Sequence, residues 1–316
     1  MVALATTFRR NTKNKSRGEA YITIYILKYI FIKNILMNQD SISNILNKSV
    51  KTGISGASAM GIQVSSLMWL RTTMNYQFKN GGTFPNTIKT LYSQGGITRF
   101  YRGYVPALMV GPLSRFGDTG MNELSKLVFN KYYPEAPIFL QTSVASAMAG
   151  MWRLTTTPID TWKTSKQVHG KEGLNVIKNK IKIIGPTAMY QGAMAASLAT
   201  FVGHYPWYLT FNYMNEYLPK YNYKDNTGKA ILRNAMIGLT ATSISDTISN
   251  SIRVVKTYKQ THDTPITYKQ AINNIITKDG VRGLFLRGLE TKLLTNGIQG
   301  AMFSVGWKYI METFNK

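Results

Sequence analysis

The sequence predicts an all-α membrane protein of three tandem repeats, each about a hundred residues long, and three observations predict it. The first is a set of charge-free stretches. No formal charge lies between Lys51 and Arg71, between Glu135 and Arg153, or, apart from His204, between Lys182 and Glu216. Each gap is about the length that spans a bilayer. The second is composition within the gaps: GISGASAMG and SVASAMAG are small-residue runs that let helices approach closely in lipid. A packed soluble core has the same look, so the gaps alone leave both readings open. The third is self-similarity. PIDTWKTSKQ (158–167) returns as SIRVVKTYKQ (251–260), 93 residues on, and Met121-Asn122-Glu123 returns as Met214-Asn215-Glu216 at the same interval. Tyr101-Arg102-Gly103, Tyr190-Gln191-Gly192 and Leu286-Arg287-Gly288 recur at 89 and 96. A fixed period constrains the whole fold.

The elements follow in order. Residues 1–43 stand outside the repeats: FRRNTKNKSR (8–17) is basic without acids, and YITIYILKYIFIKNILM (21–37) is apolar and aromatic. This start suits a mitochondrial targeting sequence, a membrane-surface helix or a partner-binding arm. The repeats then occupy 44–135, 136–227 and 228–316. In each, a small-residue helix ends in a basic stretch. A short amphipathic segment follows (TFPNTIKTLYSQGG, GLNVIKNKIKIIG, TYKQAINNIITKDG), and a Gly opens a second long helix. Six spanning helices result. The amphipathic loops carry Lys89, Arg99, Lys171, Lys178, Lys180, Lys269 and Arg282 among other cations, which places them together on one side of the membrane.

Composition bounds the function. The net charge of +24 and a pI near 10.0 call for an anionic partner. The charges are spread over loops, which argues against nucleic acid. The absence of Cys and three widely separated His leave no metal cluster, and no nucleophile motif or phosphate-binding Gly loop appears, so neither an enzyme nor a cofactor site is expected. Mean hydropathy is only −0.14.

On these residues the chain resembles the mitochondrial carrier family, whose repeated signature is P-x-[DE]-x-x-[KR]-x-[KR]-x-Q followed by an amphipathic helix and an aromatic-basic-Gly step. Pro158, Asp160, Lys163 and Gln167 carry it except at Ser165. The resemblance implies six helices around a water-filled central cavity in the inner mitochondrial membrane, with short helices on the matrix side. It also implies a matrix gate in which an acid of each odd-numbered helix pairs with a base of the next, braced by a Gln.

Here that gate is degenerate. Gln167 and Gln260 match the brace, but Arg253 stands where an acid belongs, and no acid occurs between Asp40 and Asp118 to serve the first repeat, where Arg71 is the candidate base. The family's pairing order sends Asp160 to Lys256, leaves Lys163 without a partner and sets Arg253 against Arg71; alternatively, Arg253 snorkels outward to lipid phosphates. At the cytoplasmic gate Glu123 and Lys126 fit the family spacing, Lys308 falls where an acid belongs, and Glu216 is a substitute one turn on.

Carrier solutes touch the even-numbered helices near their midpoints, which by resemblance means Val110 and Gly111, Ala199 and Thr200, and Thr295 and Asn296. Arg115, Asp118 and His204 lie deeper as candidate solute contacts, although Arg115 and Asp118 are also spaced to pair with each other and His204 is equally placed as a packed residue. The Tyr101-Arg102-Gly103 step, with Gly192 and Gly288, resembles the family's cardiolipin motif: free N–H groups at a helix start, close approach at Gly and an Arg charge all suit phosphate. Two functions fit: a divergent carrier exchanging a small anionic solute by alternating access, or a transport-incompetent relative serving as a structural subunit of a larger inner-membrane complex.

Overall fold

A computed structural model describes residues 39–219, 221 and 223–299, and every regular element among them is helical. The chain divides into units Met1–Lys48 and Ser49–Lys316. The extension expected over 1–43 lies almost wholly outside the described residues. Five long helices, α1 (Gln39–Asn80), α4 (Tyr104–Tyr132), α5 (Ile138–His169), α7 (Ala193–Tyr217) and α8 (Tyr223–Thr261), are joined by a sixth over 289–299 (α10). Short helices α2 (Phe84–Ser93), α3 (Gly96–Phe100), α6 (Gly173–Ile184) and α9 (Tyr268–Leu286) connect them at one end.

Local chemistry sets the boundaries. A Pro in the first turn starts α2, and Thr267 with Gln270 forms a reciprocal capping box at α9. Glycines at left-handed φ, Gly103 and Gly192 (both +84°), open α4 and α7. α5 runs on through Pro158, whereas α1 departs from helical geometry at Leu67, in a repeat that has no such Pro.

Packing is polar inside and apolar outside. Thr156, Thr157, Thr164 and Gln167 of α5 and Ser249, Asn250, Thr257 and Gln260 of α8 are buried, while Met194, Leu198, Phe201, Tyr205 and Leu209 form an exposed stripe along α7. Val105, Met109 and Leu113 do the same on α4, and Leu232, Met236 and Leu239 on α8. Their three- and four-residue spacing keeps each stripe on one face. Small apolar clusters fasten the helices: Val64 and Met68 of α1 meet Ala107 of α4, and Phe78 of α1 meets Val254 and Val255 of α8 with Ala271 and Ile275 of α9.

Among the described residues no helix is long and apolar enough to cross a membrane when judged by hydropathy. The lengths suffice: α4, α5, α7 and α8 have 29, 32, 25 and 39 residues, against about 20 needed for a span. Polar faces lower the average.

Candidate functional site

α1, α5 and α8 stand where the sequence repeats predict the odd-numbered helices, and three like contacts set them in one register. A Cβ on Gly103 would lie 2.9 Å from the Lys163 carbonyl, one on Gly192 would lie 3.2 Å from that of Lys256, and one on Gly288 would lie 3.2 Å from that of Met74. The same glycines face Gln167, Gln260 and Phe78. Hydroxyl bonds repeat the offset: Thr72 donates to the Phe100 carbonyl (2.6 Å) and Thr161 to that of Met189 (2.7 Å). Arg71 therefore occupies the position of Asp160 and Arg253. This corrects its assignment as a base. The base position of the first repeat is Met74, and its brace position is Phe78.

A cavity of about 270 Å³ lies between the helices. Arg71, Arg153, Lys163, Arg253, Lys256 and Lys292 line it, with Asp160 as the carboxylate. Asp160 takes Lys163 of its own helix and Lys256 of α8, both in ion-pair contact. Lys163 thus has a partner, against the pairing order, because three residues along a helix bring it over the same carboxylate. Gln260 Nε2 donates to Thr161 Oγ1 (3.2 Å) and reaches Asp160 (3.4 Å), while Gln167 accepts from Asn75 (2.6 Å). Arg253 lines the cavity and its Nε donates to Ser249 Oγ (3.2 Å). The outward, phosphate-seeking alternative is not adopted.

Two further ion pairs border the cavity. Arg153 of α5 binds Asp118 of α4 at 2.5 Å, and Lys292 of α10 binds Asp246 of α8 at 2.7 Å. Asp118 therefore does not pair with Arg115, which is exposed. Asn296 donates to Asp246. Gly111 and Thr200 are in the cavity wall, whereas Arg115 and His204 are not among its lining residues. The His204 ring meets Tyr208 edge-on at 6.3 Å.

The sequence carries a signal for Arg153 and Asp246 as a set. They are 93 residues apart, and each precedes its helix's gate position by seven: Arg153 with Asp160, Asp246 with Arg253. The two helices carry the same two rungs with the charges exchanged. Seven residues are two turns, so the rungs stand about 10 Å apart on one face. Loss of an acid at 253 thus accompanies an acid at 246, which holds α10 instead of a neighbouring odd helix.

At the other end, Glu123 and Lys126 sit three residues apart on α4, and Glu216 lies in the last turn of α7. Lys308 lies outside the described residues. Here Tyr208 donates to Asn122 (2.8 Å) and Arg233 to Asn215 (3.0 Å). Around the lipid candidates, Tyr101 is exposed and stacks edge-on with Tyr104 at 6.1 Å. Each of Gly103, Gly192 and Gly288 is required by close helix approach, whatever else it contacts. At α7 the first free N–H groups are partly taken, since Ala195 N donates to Tyr268 Oη (3.3 Å).

A family model described as mitochondrial carrier protein matches residues 136–222 and 228–316, more than half of the chain. No curated protein matches it.

Proposed function

The chain belongs to the mitochondrial carrier family, and from that premise we propose a divergent inner-membrane carrier that exchanges a small anion with more than one negative charge. In this reading α1, α4, α5, α7 and α8 span the bilayer around the cavity, joined by the helix of which α10 is the described part, with α2, α6 and α9 on the matrix side. The inverted polarity of the bundle supports membrane embedding, because exposed apolar stripes on otherwise polar helices suit lipid and not water. Alternating access would open the cavity to each side in turn.

The observation that carries the anionic reading is the lining itself. Six cations share the cavity with Asp160, and even with Asp118 on Arg153 and Asp246 on Lys292 the six face three carboxylates among the described residues. Positive charge in a confined site of low dielectric is costly unless an anion offsets it. The cavity is compact, and among the described residues Phe78 is its single aromatic lining residue. Exchange by the full chain in liposomes should favour di- or tricarboxylates or phosphate over monocarboxylates. Preference for neutral or cationic solutes would overturn the proposal.

One observation favours the second reading, a structural subunit. Two of three acid positions are Arg71 and Arg253, and one base position is Met74, so a symmetric ion-pair lock is not available. Absence of exchange for every anion, together with comigration in a large complex in mild detergent, would select that reading. Cardiolipin remains the proposed lipid, with the start of α4 beside Arg102 favoured over the start of α7, where Tyr268 competes. Lipid retained by the wild type and lost in Arg102→Ala would support that placement.

A further inference from the structure

The ends of α1, α5 and α8 that converge beside the cavity each leave carbonyls without intrahelical partners, and each carries the negative pole of a helix dipole. In all three, a buried cation from elsewhere in the chain fills that role. Arg99 donates through Nη1 to the Gln167 carbonyl (2.8 Å) and through Nη2 to that of Val168 (2.7 Å), at the end of α5. Lys180 Nζ donates to the carbonyls of Gln260 (3.0 Å) and Lys259 (3.2 Å), at the end of α8. Arg287 Nη1 donates to the carbonyls of Lys79 (3.1 Å) and Phe78 (3.5 Å), at the end of α1. Exposure of the three is 5%, 1% and 5%.

One acceptor of each pair is equivalent, since Phe78, Gln167 and Gln260 share one register position; the second follows it in α1 and α5 and precedes it in α8. The donors are not equivalent: Arg99 lies four residues before Gly103, Lys180 twelve before Gly192, and Arg287 one before Gly288. The direction is constant. The first repeat clasps the second, the second the third, and the third returns to the first. Each donor is held by its own segment, Arg99 by Gln94 (3.1 Å), Lys180 by Gln191 (3.1 Å) and Arg287 by Asp279 (2.8 Å).

We propose that Arg99, Lys180 and Arg287 form a ring of cation-to-carbonyl clasps that holds this end of the cavity shut and releases when the cavity opens there. The clasps need no carboxylate on the odd-numbered helices, so the ring works in a chain whose acid positions hold Arg71 and Arg253. The three are positioning residues and contact no solute. This inference rests on the carrier reading only for the opening; the closed ring stands on geometry.

The chain has no Cys, so a single introduced thiol reports access without background. Thr257 lines the cavity within the last two turns of α8 and is 2% exposed; Ser125, 3% exposed on α4, serves as a control away from the clasps. In the full chain in mild detergent, Arg99→Met, Lys180→Met and Arg287→Met should each speed labelling of Thr257→Cys by a polar thiol reagent about tenfold or more, on the scale of losing a charge-assisted bond. Labelling of Ser125→Cys should not change, and Lys180→Arg should restore protection. Where a Met variant does not fold, Arg99→Lys and Arg287→Lys, which keep the charge but lose the fork, should give intermediate rates. Unchanged labelling, equal acceleration at both reporters, or an effect confined to one clasp would overturn the ring. Liposome exchange is read separately: faster labelling without exchange removes the carrier and keeps the ring, and exchange with unaltered labelling does the reverse.

Discussion

Asp160 holds two lysines at once, and this asymmetry makes its two partners unequal to it. Replacing Asp160 with Asn leaves Lys163 and Lys256 facing each other with no carboxylate between them. Breaking such a partly buried pair costs about 2–4 kcal/mol, and Lys163→Met should cost much less because Lys256 keeps its counter-ion. Unfolding midpoints in detergent check this; equal losses for the two variants would mean that the pair contributes little. Lys180 gives a second residue-level expectation. Burial, then the charges of Lys79 and Lys259, pushes it from 10.5 down to about 7. Between those values the unfolded chain binds more protons at this site than the folded one, so stability should rise with pH, by up to about 1.4 kcal/mol per unit. Below about 7 both states are protonated and the contribution is flat. Denaturant midpoints at pH 7 and 9 should therefore differ less in Lys180→Met than in the wild type. An unaltered slope would refute the assignment to Lys180.

At the scale of elements, the contact between α4 and α5 is the most sterically demanding. A Cβ on Gly117 would fall 1.9 Å from the Trp152 ring, whose Nε1 donates to the Leu113 carbonyl at 2.9 Å. Gly117→Ala must push the indole away and break that bond, at a cost of about 1–3 kcal/mol, visible as a lower unfolding midpoint. Gly61→Ala, with nothing within 4 Å, is the control and should be near neutral or stabilising in mid-helix. The same elements show what the sequence could and could not tell. The decapeptides at 158 and 251 place α5 and α8, because the run Lys-Thr-x-Lys-Gln recurs there although Pro158 becomes Ser251 and Asp160 becomes Arg253. The first repeat lacks that run, with Trp69 opposite Pro158 and Phe78 opposite Gln167, so its register is legible only in the structure, from the contacts of Gly103, Gly192 and Gly288 and the matching bonds of Thr72 and Thr161. The clasps were invisible for another reason. Their acceptors are backbone carbonyls, which any residue supplies, and their donors stand at unlike positions.

Across the whole molecule the cavity charge belongs to no single pair, and a valence series can test that. If Arg253 attracts solute by its charge alone, its contribution scales with the charge of the solute. At about 6 Å the interaction is about 2.8 kcal/mol per ligand charge at an effective dielectric of 20, and about 0.7 in water. The cavity lies between these limits, so the absolute value is less telling than its proportion. Arg253→Gln should weaken a trianion three times as much as a monoanion on a logarithmic scale, whatever the dielectric. A guanidinium forming one directed hydrogen bond to one carboxylate would cost every carboxylate the same. Binding of tricarballylate, succinate and acetate to the full chain in detergent, read by thermal shift or calorimetry, separates the two. Losses in the ratio of about three to two to one identify a cavity that reads net charge. Equal losses identify Arg253 as a point contact, and no loss in any of them places the anion elsewhere, on the Lys163 and Lys256 side of Asp160.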